Sequence, residues 1–195
     1  MANYMNPDRS FINFLAPTLC GIKPASLFTV ADDEISEGTI NRWKSGTAKQ
    51  NLCLAALRYS TRRWMIIVYD FDWIARLLSD RSIQSYLIEK GYSCPSDTCS
   101  TLGELFSRLE IGGTFPHEVG LFLGYPYQDV VDFEKNEGRN CKYCGYWKSY
   151  SNPSQAKICC DQYRCCTRMC RQWFEQGLSV PQIIKKYREA AQDAA

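Results

Sequence analysis

The segment RWMIIVYD, residues 63–70, is the clearest strand signal in the sequence. β-Branched and aromatic residues follow one another there without a glycine or proline, a composition that favours a β-strand. An uninterrupted apolar run of this kind is typical of a strand that is buried on both faces. The remaining elements are predicted outward from this strand.

Upstream of it, the segment GIKPASLFTV (21–30) predicts a second strand, because Leu27, Phe28 and Val30 follow a Lys-Pro step. Residues 8–15 predict a short helix or turn before Pro17. Residues 39–59 are expected to be mainly helical, with a break at Ser45-Gly46. The apolar positions that recur there at helical spacing are Leu52, Ala55, Ala56 and Tyr59.

Downstream, prolines at positions that suit helix starts and glycines at positions that suit helix ends predict a series of helices. Two short helices are expected within 71–90, and a third from Ser100, as its cap, to about Leu109. Two more are expected at 116–123 and 126–137. A long helix is expected from 152 or 154 to Gly177, and a last one after Ser179. The segment GYWKSY (145–150) predicts one more strand. The expected fold class is therefore α+β: a small, mostly antiparallel sheet of three or four strands, packed with many short helices and one long C-terminal helix.

The bulk composition is that of an ordinary globular protein, with 195 residues, 45% hydrophobic and 23% charged. We expect a single domain over 1–195. The N-terminus lacks a basic start followed by an apolar run, and no apolar stretch is long enough to span a bilayer, so we expect a cytoplasmic protein with no membrane association and no obligate partner. Eleven cysteines in that compartment argue against a disulfide framework and leave metal binding, redox chemistry or core packing.

The charge is unevenly distributed along the chain. Residues 139–190 form a basic, Cys-rich C-terminal subregion. Within 139–188 there are ten Lys or Arg residues and only two acidic residues. The whole chain has a net charge of only +2. The subregion therefore favours an anionic partner, such as nucleic acid, a phosphate compound or an acidic protein.

The stretch CKYCGYWKSY (141–150) has the form of one metal knuckle, Cys141-x-x-Cys144-Gly. A tetrahedral zinc or iron site needs two further ligands, and a second knuckle is absent from the sequence. Cys166 and Cys170 lie one turn apart on a predicted helix, so their side chains can coordinate one ion. The predicted metal site is therefore Cys141, Cys144, Cys166 and Cys170, with zinc or iron as the ion.

Two alternatives remain for these cysteines. Cys159, Cys166 and Cys170 share one stripe of the predicted helix with aromatic side chains, and free cysteine is often buried, so the stripe can be core packing alone. Cys141 and Cys144 can instead form a redox dithiol. We interpret Cys94 and Cys99 as a surface pair without a function.

His117 is the only histidine, and it lies beside Glu118 at a predicted helix start. It is the candidate for general acid/base catalysis, metal ligation or hydrogen bonding, and Cys20 is the candidate thiol for a Cys–His pair; a purely structural role is the alternative. Lys23 and Lys148 are candidate anion ligands. The sequence contains no Walker loop, dinucleotide fingerprint, His-Glu-x-x-His pair or nucleophile elbow, which removes the commonest enzyme classes.

Three stretches, APTLCGIKPASLF, FPHEVGLFLGYPYQDV and GYWKSY, resemble an uncharacterised family of cytosolic bacterial proteins that is common in anaerobic Firmicutes. The resemblance runs from about Phe11 to about Tyr187. Positions that match the pattern of that family are Pro17, Thr18, Leu19, Gly21, Lys23, Phe115, Pro116, His117, Glu118, Gly124, Tyr125, Pro126, Gly145, Tyr146, Trp147 and Lys148. Where relatives often carry a cysteine, this chain has Leu15, which counts against a shared cysteine nucleophile there.

The resemblance implies a shared surface at the matching positions rather than at the cysteines. The ligand site that it implies consists of Lys23, His117, Glu118, Tyr125 and Lys148. Genes of the resembling family are sometimes found near iron-uptake and flavodoxin genes, which implies iron or redox physiology.

Three functional hypotheses follow. The leading one is a cytosolic small-ligand or metal-binding protein in iron or redox physiology, with a small anionic ligand as the partner. The second is an enzyme that uses His117 as acid/base in a pocket with Glu118 and Lys23. The third is a nucleic-acid-binding protein, which requires Arg164, Arg168 and Arg171 to be exposed on one face of the C-terminal helix.

Overall fold

A computed structural model describes residues 6–110 and 115–192. The chain divides into two compact units. The first contains the residues up to Tyr69 together with those from Gln162 onward, and the second contains Asp70–Asp161. The single domain over 1–195 stays a prediction.

The first unit is built on a three-stranded antiparallel sheet. Its strands are β1 (Ala25–Ala31), β2 (Cys53–Ser60) and β3 (Arg63–Tyr69), in the order β1-β3-β2. The central strand is therefore the RWMIIVYD segment, as its apolar composition suggests. In the pairing of β3 with its two neighbours, Tyr69 lies opposite Ala25 of β1 and Cys53 of β2.

One face of this sheet carries a hydrophobic core. Side chains alternate between the two faces of a strand, so Ile66 and Val68 of β3 lie on the same side. They pack with Phe11 and Leu15 of α1 (Pro7–Leu19) and with Trp43 of α2 (Glu37–Ala48). The rings of Phe11 and Trp43 stack with centroids 4.4 Å apart.

The prediction that residues 39–59 are mainly helical is wrong for its second half. Helix α2 continues through Ser45-Gly46 to Ala48, and the chain then turns at Asn51, whose φ is 58°. Residues 53–60 form the edge strand β2, although their apolar residues also fit a helical period. Pairing with the apolar strand β3 decides the outcome, because the strand preference of a segment depends mainly on its neighbours in the sheet.

The first unit also holds the C-terminal helices. Helix α8 (Pro153–Glu175) is the long helix that the sequence predicts; it begins in the second unit and ends in the first. Helix α9 (Val180–Gln192) follows Ser179, as expected. A short 3-10 turn, Asp32–Glu34, follows β1.

The second unit is mainly helical in its described residues. Its helices are α3 (Phe71–Leu78), α4 (Arg81–Glu89), α5 (Thr98–Glu110), α6 (Val119–Phe122) and α7 (Tyr127–Lys135). Two short strands, β4 (Tyr143–Cys144) and β5 (Lys148–Ser149), form a hairpin. The prediction of one strand over GYWKSY (145–150) is wrong for residues 145–147, which connect the two strands of this hairpin; only Lys148–Ser149 of that segment is a strand. Gly91, Gly124 and Gly138 end helices with positive φ, as the punctuation predicts.

Two predicted helix boundaries are wrong. Helix α5 begins at Thr98 rather than Ser100, because the Asp97 carboxylate accepts hydrogen bonds from the amides of Cys99 and Ser100. Helix α1 does not stop before Pro17 but runs through it to Leu19. Pro17 has no amide to donate to the carbonyl four residues earlier, so the helix runs through it with one backbone hydrogen bond fewer.

The architecture is α+β, with a small antiparallel sheet and many short helices. In the described part of the chain, none of the helices combines the length and the apolarity that a transmembrane span requires.

Candidate metal centre

The turn that ends α1 places Cys20. The Cys20 amide donates to the Ala16 carbonyl at 2.9 Å, and the Ile22 amide donates to the Pro17 carbonyl at 2.9 Å. Gly21 between them has φ 78°, a conformation that glycine adopts without a Cβ clash. The PTLCGIK segment thus closes the helix and holds the Cys20 thiol in the interior.

Helix α8 supplies two more buried thiols. Cys166 and Cys170 are four residues apart, so their side chains lie one above the other on the same helix face, and each is 1% exposed. The helix ends at Glu175, and Gly177 follows it with φ 91°. Helix α9 then packs Ile183 against the same thiols. Two elements that are distant in sequence therefore bring three cysteines together.

The three sulfur atoms form a compact group. The Sγ atoms of Cys20, Cys166 and Cys170 all lie within 4.8 Å of one another, and those of Cys20 and Cys170 are 3.5 Å apart. With a metal–sulfur bond of about 2.3 Å, sulfurs on one tetrahedral ion are separated by about 3.8 Å. The group, called the thiol triad below, is therefore of the right size to hold a metal ion.

Apolar side chains surround the thiol triad. The buried neighbours are Ile12, Ala16 and Ile183, and the partly buried ones are Ile22, Trp173, Phe174, Leu178, Val180 and Tyr187. A narrow apolar crevice also borders Cys20 and Cys170, and it leaves no room for a water molecule. The thiols therefore lie in a dry environment, where a bare charge is costly and an ion that the thiolates bind is shielded from solvent.

The thiols influence one another's protonation. Hydrogen bonds from Cys166 and Cys20 lower the pKa of the Cys170 thiol below its ordinary value, although burial acts in the opposite direction. Hydrogen bonding to Cys166 and Cys170 raises the pKa of Cys20, and the bond to Cys170 raises that of Cys166. The protonation of each thiol therefore depends on that of the other two.

Two of the four predicted metal ligands, Cys166 and Cys170, belong to the triad. The third member, Cys20, was considered from the sequence only as a partner for His117. Cys141 and Cys144 lie in the second unit and the triad lies in the first, so their combination with Cys166 and Cys170 stays a prediction.

The knuckle at 141–150 contacts a different cysteine of α8. The Tyr146 amide donates to the Cys160 sulfur at 3.3 Å. Gly145 lies so close that a Cβ there would be 2.6 Å from the same sulfur. Cys160 is fully buried, whereas Cys159 is half-buried. The prediction that Cys159 belongs to the buried stripe of the helix is therefore wrong, because the hairpin covers the side of α8 that carries Cys160. Cys144 is exposed.

A buried carboxylate ties the hairpin to α7. Asp129, 2% exposed, accepts hydrogen bonds from Trp147 Nε1 at 2.8 Å, from the amides of Tyr150 and Ser151 at 2.9 and 2.8 Å, and from Ser151 Oγ at 2.7 Å. Asp129 is not among the site residues that the sequence predicts. The signal was available, because an acidic residue inside an apolar segment requires donors if it is buried.

Two members of the predicted ligand set share a neighbour. The His117 ring lies edge-on to Phe133 with centroids 5.0 Å apart, and Lys148 Nζ lies 5.7 Å from the Phe133 centroid. Lys148 Nζ also donates to the Gly138 carbonyl at 2.7 Å. His117 is exposed, so this region of the second unit is accessible from solvent.

The other members have different surroundings. Glu118 is buried, and its Oε1 lies 3.3 Å from both Arg108 Nη1 and the Tyr92 hydroxyl. Tyr125 stacks on Trp147 with centroids 5.3 Å apart. Lys23, in the first unit, is 4% exposed with its Nζ 5.9 Å from the Tyr163 ring centroid. The five-residue ligand site and the acid/base role of His117 stay predictions.

Comparison with known proteins identifies the family but not an activity. No curated protein and no solved structure matches the chain. A family model described as "Protein of unknown function (DUF3793)" matches residues 11–184. Because this match spans most of the sequence, the chain belongs to the DUF3793 family of proteins of unknown function.

Proposed function

We propose that the protein is a metal-binding protein, acting in iron or redox physiology, and that its metal site is the thiol triad. The observation that carries the proposal is the approach of three buried thiols, one from the turn that ends α1 and two from α8, all within 4.8 Å of one another. Core packing alone does not require three sulfurs to meet, because apolar carbon fills a core equally well.

The ligand type limits the ion. Thiolates are soft ligands that select zinc, Cu(I) or iron–sulfur chemistry over magnesium or calcium. Each thiol must lose its proton when it binds an ion, so loading depends on pH. A bound ion would cross-link the end of α1 to α8 and thereby stabilise the first unit.

The test is the metal content of protein that is purified without oxygen and without a histidine tag. We expect about one ion per chain, because the triad offers one set of ligands. The changes Cys20→Ser and Cys166→Ser are expected to abolish it. Cys165→Ser is the matched control, since Cys165 is exposed and adjacent to Cys166, and it is expected to keep the ion.

Two results would contradict this site. Retention of the ion in the triad variants, with its loss in a Cys141→Ser/Cys144→Ser variant, would move the site to the knuckle. If the wild-type protein stays folded without any metal, the three thiols are core side chains and not metal ligands. Near-ultraviolet circular dichroism on every variant separates metal loss from unfolding.

A second candidate function is nucleic-acid binding through the basic face of α8. Arg164, Arg168 and Arg171 follow a spacing of four and three residues, which places them on one side of the helix, and all three are exposed. Lys185 and Lys186 of α9 add exposed positive charge to the same unit. This arrangement supports contact with phosphates rather than with bases.

Binding to DNA and RNA fragments at several salt concentrations tests this second candidate. Changing the three arginines to glutamine should weaken binding and reduce the slope of log K against log salt by about 3, since each lost phosphate contact removes about 1. A charge-matched control changes the exposed Arg62, Arg76 and Arg81. Equal losses in both variants would contradict a binding face on α8.

A further inference from the structure

We infer that the thiol triad is a three-coordinate site for Cu(I). The inference rests on the proposed function, because it names the ion for the same three sulfurs.

The first step is the number of protein ligands. Within residues 6–110 and 115–192, the group of metal-binding atoms around the triad contains Cys20, Cys166 and Cys170 and no fourth histidine, cysteine or carboxylate. A structural zinc site is almost always closed by four protein ligands. The triad is therefore one ligand short of such a site.

The second step concerns water, which completes the coordination of zinc when a protein supplies only three ligands. The three cysteines are between 1% and 6% exposed. The crevice beside Cys20 and Cys170 is lined by apolar side chains and has no space for a water molecule. A water ligand is therefore excluded on this side, and a four-iron cluster, which is far larger than a water molecule, does not fit there.

The third step is the preference of the ion. Soft thiolates bind Cu(I), zinc and iron–sulfur clusters. Of these, Cu(I) is the ion that accepts a planar arrangement of three sulfurs without a further ligand. With metal–sulfur bonds of about 2.3 Å, a planar triangle places the sulfurs about 4.0 Å apart. The Cys20–Cys170 separation of 3.5 Å and the 4.8 Å limit on all three pairs bracket that value.

The neighbouring side chains suit this ion. Tyr187 of α9 packs against the cluster that contains the three cysteines. Trp173 and Phe174 pack against the same cluster. An apolar enclosure of this kind protects Cu(I) from water and from oxidation to Cu(II).

The test is an oxygen-free titration of the full chain with Cu(I) against a chromogenic Cu(I) chelator, with Zn(II) and Fe(II) titrated in parallel. We expect one Cu(I) per chain to be withdrawn from the chelator, and we expect Zn(II) and Fe(II) to bind much more weakly. Cys20→Ala and Cys170→Ala should lose this stoichiometric binding, and the exposed Cys165→Ala should keep it.

X-ray absorption of the Cu(I)-loaded wild type makes the test independent of how the variants fold. Three sulfur neighbours at about 2.3 Å, with no nitrogen or oxygen neighbour, are the expected result. Four neighbours, or any oxygen or nitrogen ligand, would overturn the three-coordinate site.

The remaining outcomes separate the two proposals. Tight triad-dependent binding of Zn(II) or Fe(II), with Cu(I) bound no better, would overturn the Cu(I) inference and leave the metal-binding function standing. Cu(I) bound equally by the triad variants would overturn the inference, because surface thiols would then be the ligands. Failure of all three ions to bind would overturn both proposals.

Discussion

Asp129 shows how one charged side chain can organise a local structure. Its carboxylate is buried, yet each of its oxygens accepts at least one hydrogen bond, and the donors come from Trp147, Tyr150 and Ser151. Two donors are backbone amides that follow the hairpin, so the carboxylate fixes the backbone and not only a side chain. Burial of a charge is tolerated here because the site supplies the hydrogen bonds that water would supply.

Replacing this carboxylate tests its role. In Asp129→Asn the amide group would direct N–H donors towards Trp147 Nε1, which is itself a donor. The unsatisfied buried donors are expected to lower the free energy of unfolding by about 1–3 kcal/mol. Urea unfolding measures the change. The control is Asp132→Asn, which affects a half-buried carboxylate that Gln128 contacts, and an equal loss there would contradict a special role for Asp129.

The same residue predicts how stability depends on acidity. Burial alone would raise the pKa of Asp129, but hydrogen bonds from Ser151, Trp147 and Tyr150 outweigh it and hold the pKa below its ordinary value. A lowered pKa in the folded state contributes stability that is complete above the unfolded pKa of about 4 and is lost as the pH falls from there towards the folded pKa.

The free energy of unfolding of the wild type should therefore fall with acidification below about pH 4, and part of that slope should be missing in Asp129→Asn. Unfolding curves at several pH values, with the thiols kept reduced, measure both slopes. Parallel slopes for the two proteins would show that Asp129 has no lowered pKa.

At the same scale, Cys20 shows what the sequence could not reveal. Cys166 and Cys170 were selected because their spacing places them on one helix face, which is a local property. Cys20 is 150 residues from Cys170, and no periodicity relates positions so far apart. Its place in the triad depends on the packing of α1 against α9 and α8, which only the folded chain defines.

At the scale of elements, the β4–β5 hairpin depends on close approach to α8. The Gly145 backbone lies beside the Cys160 sulfur and the Tyr143 ring, leaving space for a hydrogen atom but not for a methyl group. The Tyr146 amide next to it donates to the same sulfur. The glycine of the CKYCGY stretch therefore has a packing role, whatever the function of Cys141 and Cys144.

Gly145→Ala should consequently destabilise the protein. The added Cβ would lie 2.6 Å from Cys160 Sγ and 2.7 Å from Tyr143 Cε1, and relief of such overlap costs about 1–3 kcal/mol. Gly103→Ala is the control with the opposite expected sign, since Gly103 is in helix α5 with open space around its Cβ position, and alanine is favoured there by about 0.5–1 kcal/mol. Denaturant unfolding compares the two, and stabilisation by Gly145→Ala would refute the packing argument.

The elements themselves were predictable to different degrees. β3 was recognisable because its composition alone favours a buried strand, and α8 because its long amphipathic run has clear ends. β2 was not, because an edge strand with mixed apolar spacing takes its conformation from the neighbour that it pairs with. Local signals thus predicted the fold class, and pairing between distant segments decided the remainder.

At the scale of the whole molecule, metal binding should be visible as stability. An ion that binds the folded chain alone stabilises it by about 2.7 kcal/mol when the free ion is at 100 times its dissociation constant. For a chain of this length that free energy corresponds to a rise in Tm of about 5–10 °C.

Thermal unfolding in oxygen-free buffer, with free Cu(I) set by a chelator, checks this expectation. Wild type and Cys165→Ser should show the same rise, while Cys166→Ser should show none. An equal rise in Cys166→Ser would mean that the ion acts elsewhere on the chain.

The proposed function depends on Cys20, Cys166 and Cys170 holding one metal ion together. Native mass spectrometry of the protein, isolated without oxygen, tests it most directly, because the mass of the intact chain reports both the bound ion and the thiol protons that it displaced. We expect one ion per chain in the wild type and in Cys165→Ser, and none in Cys20→Ser or Cys170→Ser. A folded wild-type chain that carries no ion after incubation with Cu(I), Zn(II) and Fe(II), or triad variants that still carry one, would contradict it.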